Sequence, residues 1–372
     1  MSKKIAIVHD YIKEYGGAER VLEELIKLYP DADIYTSIYA PEYLGPHKKR
    51  FENYTIKTTW LNSIPGRHKL ISPLRLLSPF AFRKLNLKHY DVVIVSQTGA
   101  YFPNLVHHKK GKLICYTHTP PRYLYGYKTG RNLPKNPIVR ALAAVGFNAL
   151  RIVDFNASKN VDVFIANSEE IKGRIKKFYR KDAVVIYPPV AVPNVVASSY
   201  QLKATSYYVT GGRLAVAKGI DVIIKAFNKN GKPLKIFGKG FAGYEEHLKS
   251  LITNHKSSIE FLGEVSDEKK FELLGSAKAF IFSSYDEDFG ITPVEAMGVG
   301  TPVIAYASGG VKETVIEGKT GVFYNENTSE SLNSAILRFE SVTLNPNDCV
   351  ERAEKFSEKE FDRKIREVVS RA

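Results

Sequence analysis

Cysteine is nearly absent. Cys115 and Cys349 alone cannot make a disulfide framework, and such sparse use fits a reducing compartment. Long apolar runs are missing too: no stretch reaches the length that spans a bilayer. The first residues, Met1-Ser-Lys-Lys, lead into a short strand without the apolar core of a secretory signal. The expectation is a cytoplasmic protein, at most resting on the inner face of a membrane. The nine histidines form no ligand-spaced cluster with cysteine, so no metal site is expected. Asp286, Glu287 and Asp288 offer a cation only a loose set of carboxylates. Acid is missing where base is dense. Residues 53–153 hold sixteen Lys and Arg against one acid, Asp91, so the net charge of +15 is a regional property. Phosphate-bearing partners or an anionic membrane surface are the natural inference. Nucleic acid makes the same demand, but no RNA-binding signature accompanies the charge and none is expected as a partner.

The 372 residues are 44% apolar and a quarter charged, ordinary globular composition and enough for two cores. Short apolar strands are read at 5–8, 33–36, 91–96, 113–116, 161–166 and 184–186. Helices lie between them at 18–29 and, capped by Ser168, through 178. The pattern restarts with strands at 207–210, 234–237, 259–262, 279–282 and 303–306, separated by helices at 221–229, 244–253 and 267–276. Such alternation implies parallel sheets with right-handed crossovers. The fold class is therefore α/β: two doubly wound, Rossmann-like parallel-sheet domains facing a cleft. The first spans 1–188, a Pro-, Val- and Ser-containing linker 189–206, and the second 207–356. A charged helix at 357–372 closes the chain.

One segment concentrates chemistry. Glu287 precedes a helix start at Thr292-Pro293, and Glu295 lies about one turn inside it, seven residues separating the two acids. Helix N-termini carry unpaired N–H groups and a positive field, so an anion can rest there while the acids accept from hydroxyls. Bare acid pairs are mostly solvated surface. Here the whole run is coherent: Glu287, Phe289, Gly290, Pro293, Glu295, Ala296, Gly300, Thr301, Pro302, Val303, Gly309 and Gly310. This run resembles the donor site of the retaining glycosyltransferases of family 4, which have the GT-B fold. The resemblance covers most of the chain and is strongest from Gly211 to Gly310.

The resemblance implies a nucleotide-sugar donor and no required cofactor or metal. Gly211-Gly-Arg-Leu-Ala-Val-Ala-Lys-Gly219 follows a strand end, where glycine lets backbone approach closely. Taken alone it is a surface turn with solvated charges. The family assigns its Arg213 and Lys218 to the donor diphosphate. Glu287 would accept from the sugar and Glu295 from ribose hydroxyls. Backbone at Phe289, Gly290 and Ile291 would meet phosphate or sugar. Gly238, Lys239 and Leu262, at ordinary βα turns, would surround the nucleoside. Gly16 and Gly17 open a helix after the first strand without the dinucleotide fingerprint spacing. In the family this Gly-Gly-Ala-Glu-Arg loop faces the donor. A lone His118, more often structural, is placed by the family near the transferred sugar. Arg122 and Tyr123 of the same loop are expected to face the acceptor. The last helix would pack back on the first domain. His9-Asp10, Gly-Gly-Ala-Glu-Arg and the Tyr116–Tyr123 loop look most like the mannosyltransferase branch of bacterial surface polysaccharide synthesis. GDP-mannose is then the favoured donor and a UDP-sugar the next. The acceptor would be a polyprenyl-diphosphate-linked or oligosaccharide chain.

Residues 57–88 interleave Trp60, Leu61, Ile64, Leu70, Ile71, Leu74, Leu76, Leu77, Phe80 and Phe82 with seven basic residues and no acid. That suits an anionic bilayer surface. Two short helices packed on the core with solvated basic faces explain it equally, because Pro65, Pro73 and Pro79 break any long helix. Two other functions stay open: a GT-B phosphorylase or sugar-phosphate synthase, and a non-enzymatic membrane- or nucleic-acid-binding protein.

Overall fold

A computed structural model describes residues 3–108, 111–127, 137–192, 207–240, 243–253 and 258–372. The chain divides into two compact units. The first comprises Met1–Tyr127, Leu133–Pro189 and Lys359–Ala372, and the second includes Val190–Glu358. Most of the linker expected at 189–206 lies outside the described residues.

The first unit is built on a seven-stranded, wholly parallel sheet: β1 (Ile5–His9), β2 (Asp33–Thr36), β3 (Ile56–Thr58), β4 (Val92–Gln97), β5 (Lys112–Thr117), β6 (Val163–Ala166) and β7 (Ala183–Val185). Its order is β3-β2-β1-β4-β5-β6-β7. The central strands read Ile-Ala-Ile-Val and Val-Val-Ile-Val because both of their faces are covered, as buried parallel strands require. One face packs Ala6, Val8, Val93, Val95 and Phe82. The other packs Ile7, Ile94, Leu22 and Leu25. Phe361, Ile365 and Val369 join that second face from the final helix, Glu358–Arg371. Their spacing of four forms one apolar stripe on an otherwise charged helix.

The second unit has six parallel strands: β8 (Tyr208–Gly211), β9 (Leu234–Phe237), β10 (Ile259–Gly263), β11 (Phe280–Phe282), β12 (Val303–Tyr306) and β13 (Gly321–Tyr324). Their order is β10-β9-β8-β11-β12-β13. Each unit thus reverses its strand order once, between β1 and β4 and between β8 and β11. Loops leaving such a pair of strands part company, which opens a crevice at their carboxyl ends.

Several elements went unread in the sequence, helices Ser329–Glu340 and Pro346–Glu354 among them. Edge strand β3 has a lysine at its centre, and its three residues carry no clear alternation. Strand β13 is four residues long and starts on glycine. Helix Pro137–Ser158 holds a single acid, Asp154. That acid is buried, and Tyr125 donates to its Oδ2 at 2.8 Å. Burial pushes its pKa from 3.8 up to about 7. The folded chain therefore holds a proton between about pH 4 and 7 that the unfolded chain releases, and stability falls as pH rises through that window. Asp154→Asn should remove up to about 4 kcal/mol of that decline. Melting temperatures at pH 5 and pH 8 report it, and equal pH slopes in the two proteins would contradict it.

Candidate functional site

The second unit's switch point gathers much of the chemistry. After β8 the chain runs through Gly211-Gly212-Arg213 to a single turn, Val216–Lys218, that leads into helix Ile220–Asn230. The loop after β11 carries Ser284 to Gly290. Tyr285 N donates to Ala217 O at 2.9 Å, which ties the two loops together. Lys218 Nζ then lies 2.5 Å from Glu287 Oε2, and Ser284 Oγ donates to the same oxygen at 2.5 Å. Both charged side chains keep part of their surface in solvent. The pair is therefore reachable by a ligand while its geometry is held from behind.

What holds it is backbone on backbone. Glu287 forms a parallel bridge with Gly309, and Gly310 N donates to Glu287 O at 2.8 Å. Gly309 has φ +71°, and a Cβ there would stand 2.2 Å from Glu287 O. Only glycine fits so close an approach. Ser308 Oγ accepts from Asp286 N at 3.1 Å, next to the carboxylate. Gly290 follows and caps the eight-residue helix Ile291–Gly298. Its first N–H groups have no carbonyl behind them within the helix.

Two neighbouring strands add to this edge. Gly212 N donates to Phe237 O at 3.1 Å, Leu214 N to Lys239 O at 3.0 Å, and Gly238 N to Gly263 O at 2.7 Å. Gly238 passes so near Gly212 that a Cβ on it would meet the Gly212 oxygen at 1.8 Å. Gly238, Lys239 and Leu262 therefore sit with the Arg213 loop along one edge of the sheet. Lys239 is exposed and pairs with Glu264 at 3.8 Å, and Arg213 is exposed as well.

Other expected residues lie differently. Glu295 is 2% exposed, and its Oε1 accepts from Lys270 Nζ at 2.7 Å. Lys270, itself buried, also meets Asp267 at 3.0 Å. Lys270 escaped the sequence reading because it stands 25 residues away on helix Asp267–Gly275, in no motif. Ser284 and Ser308 escaped it as well, being small polar residues of the kind every loop contains. Phe289 is buried with its ring 5.5 Å from that of Phe356, so its side chain contributes packing. Ile291 is half-buried at the helix start.

In the first unit Gly16 and Gly17 open helix Gly17–Leu28, but the Gly16 N–H already donates to Glu19 Oε2 at 2.9 Å. The acid of the Gly-Gly-Ala-Glu-Arg run thus closes its own loop. His118 is buried just past β5, and burial together with the nearby His9 holds its pKa down at about 3. Its carbonyl accepts from Asn167 Nδ2 at 3.0 Å. Asp10, wholly buried, accepts through Oδ2 from Thr98 Oγ1, Ala100 N and Tyr101 N at 2.7–3.0 Å, and burial raises its pKa. That carboxylate shapes the loop after β4. Tyr123 is half-buried, its ring 5.4 Å from that of Phe147 and with the Arg75 guanidinium 4.1 Å away; Arg122 is half-buried beside it. Among the described residues no group of three His, Cys, Asp or Glu is placed to hold a metal ion.

Both units are similar to known proteins. Residues 15–192 match the model described as Glycosyltransferase Family 4, and residues 201–356 match Glycosyl transferases group 1. An uncharacterized glycosyltransferase of Methanocaldococcus jannaschii is 28% identical, covering 90% of this chain and 87% of its own. The alpha-1,3/1,6-mannosyltransferase ALG2 of Dictyostelium discoideum is 23% identical over 89% of this chain and 88% of its own. Among solved structures, Anabaena HepE in complex with UDP and glucose superposes with a TM-score of 0.71 at 18% identity, covering all of both chains. Sucrose-phosphate synthase from Thermosynechococcus elongatus does so at 0.74 and 17%, over 99% of each. At these identities the structural likeness speaks for the GT-B fold, two Rossmann-like units with all-parallel sheets.

Proposed function

The chain belongs to the family 4 glycosyltransferases, and on that premise we propose that it transfers mannose from GDP-mannose, with retention of configuration. The acceptor in this reading is a polyprenyl-diphosphate-linked or oligosaccharide chain of a surface polysaccharide. The observation that carries it is the Lys218–Ser284–Glu287 cluster at a switch point, where a cation, a hydroxyl and a partly solvated carboxylate meet within hydrogen-bond distance. Lys218 with Arg213 supplies positive charge for a leaving diphosphate. Glu287 accepts from sugar hydroxyls, and the N–H groups at Gly290 and Ile291 add donors at a helix start. Mannose is favoured by the ALG2 relatives, which are named mannosyltransferases. A UDP-sugar is the competing donor, since HepE was solved with UDP-glucose.

The chemistry follows from charge placement. The glycosyl–phosphate bond breaks and the departing nucleoside diphosphate takes its electron pair. The acceptor oxygen bonds the anomeric carbon on the same face and passes its proton to a phosphate oxygen. No covalent nucleophile of the two-acid hydrolase kind is invoked, and the cations at Lys218 and Arg213 do the work a required metal would do. Glu295 keeps its assignment to ribose hydroxyls in this reading, with Lys270 fixing its carboxylate.

We also assign the basic face to an anionic membrane on the cytoplasmic side. No helix among the described residues is long and apolar enough to cross a bilayer. Residues 57–88 form two short helices, Ile71–Leu74 and Ser78–Arg83, rather than one. Leu74, Ala81 and Phe82 point into the core, whereas Leu76, Leu77 and Phe80 are 51%, 40% and 59% exposed. Lys69, Arg83 and Lys84 are exposed in the same stretch. Apolar tips beside cations match an anionic, lipid-linked substrate's surroundings, each cation contributing roughly 1 kcal/mol near the surface.

Calorimetric titration with GDP-mannose and UDP-glucose tests the donor. Lys218→Met should weaken nucleotide-sugar binding roughly 10-fold or more, and Glu287→Gln should cut turnover by about 10²–10³. If neither nucleotide sugar binds, the transferase reading of this site fails. For the membrane, co-sedimentation with phosphatidylglycerol vesicles should fall about 10-fold in Phe80→Ser, from lost burial of the ring, and should weaken with salt. Equal partition of variant and native protein contradicts the assignment.

A further inference from the structure

Between Glu52 and Asp91 the first unit's sequence has no acid. A cation in this segment finds a carboxylate on another segment, or stays in water, or does without. Lys57 finds Asp33 Oδ1 at 2.6 Å. Lys69, Arg83 and Lys84 are exposed, and water serves them. Arg67 and Arg75 do neither. Both are half-buried, and no carboxylate among the described residues lies within ion-pair distance of either.

What holds them orients their charge without cancelling it. Arg67 donates through Nη2 to Tyr39 O at 3.3 Å. The Arg75 guanidinium lies 4.1 Å from the centre of the Tyr123 ring and reaches Ser72 Oγ at only 3.5 Å. Tyr101 donates to Ile71 O at 2.9 Å, which anchors the segment that carries Arg75. In both arginines Nε is buried and meets no acceptor among the described residues, and the Tyr123 hydroxyl beside Arg75 is in the same position. Buried donors left without an acceptor are costly, so their presence asks for a missing acceptor. A third cation adjoins them: Lys13, in the loop after β1, donates to His68 O at 2.6 Å and meets no described carboxylate. Its ammonium has two further protons to give.

We propose that Arg67, Arg75 and Lys13 hold the phosphates of an isoprenoid diphosphate whose chain lies over Leu70, Leu76 and Leu77. Guanidinium forks suit phosphate oxygens, which accept two parallel bonds at once. Three cations match a diphosphate better than a single carboxylate. The apolar half of the ligand is met by the same segment: Leu70, Leu76 and Leu77 are exposed, and Leu76 directly follows Arg75. Solvated surface charge does not explain the arrangement, because its donors would face water and these Nε atoms do not. The inference deepens the lipid-linked acceptor of the proposed function and rests on that reading for its role. The binding itself uses residues of the first unit alone.

The test is calorimetric titration of the whole chain with farnesyl diphosphate, inorganic pyrophosphate and farnesol. It is run on Lys218→Met, so that the second unit's cation does not compete for the diphosphate. Farnesyl diphosphate should bind roughly 10-fold or more tightly than pyrophosphate, which lacks the apolar chain. Arg75→Gln and Arg67→Gln should each weaken farnesyl diphosphate roughly 10-fold or more. Leu76→Ser should weaken it while leaving pyrophosphate within about 2-fold. Either arginine variant suffices if the other does not fold, and thermal melting shows which does. Binding unchanged by both arginine substitutions, or farnesol binding as tightly as its diphosphate, overturns the proposal. Displacement of farnesyl diphosphate by short-chain phosphatidylglycerol gives the site to bulk lipid headgroups and overturns it too. GDP-mannose is titrated separately into the native chain. Its failure to bind, with farnesyl diphosphate still held, removes the donor reading and leaves this site standing.

Discussion

Everything at the second unit's site depends on one steric constraint: main chains from adjacent loops run closer together than any side chain permits. Gly309 lies against the Glu287 carbonyl, and Gly238 against that of Gly212. Contacts of this kind are made by backbone atoms alone, so they do not relax by changing rotamers. They convert four flexible loop ends into one rigid edge. Glu287 is carried on that edge, and its partner Lys218 is set by the short turn bonded to the same loop. The glycines of the motif are therefore a mechanical feature first. They fix where a carboxylate and an ammonium stand before any ligand arrives, which is what electrostatic stabilisation of a leaving group requires.

The two units apply the same topology to different electrostatics. In the second, charge is partly solvated and ready to meet charge. In the first, the switch point is occupied by buried, hydrogen-bonded groups: His9, Asp10, Ser96 and His118. Burial holds His118 neutral and makes Asp10 harder to ionise. The basic stretch between residues 53 and 153 carries exposed apolar side chains at Leu76, Leu77 and Phe80.

The fold was legible because buried parallel strands must be apolar on both faces. Runs such as Ile5 to Val8 and Val303 to Ala305 announce themselves, and Ser168 caps its helix through its own side chain, as read. The glycine-bearing motif was equally visible, since its residues fall within one short stretch, Glu287 to Gly310. What escaped depends on long-range convergence. Ser96 is 87 residues from His9 and 22 from His118, and nothing local in a Val-Val-Ile-Val-Ser strand end suggests two imidazoles. Lys270 neutralises Glu295 from another helix. Nor did the sequence show that the Gly16 N–H donates to the acid three residues on. Periodicity reports which face is buried; it is silent about which polar groups a sheet brings side by side.

The most direct test of the central claim is a crystal structure of the chain with a nucleotide sugar bound. The account predicts the diphosphate against Arg213 and Lys218 and the sugar within hydrogen-bond reach of Glu287, with the Gly309 and Gly238 contacts unchanged. A nucleotide found away from the β8 and β11 loop ends, with the Lys218–Glu287 pair untouched by it, would contradict the account.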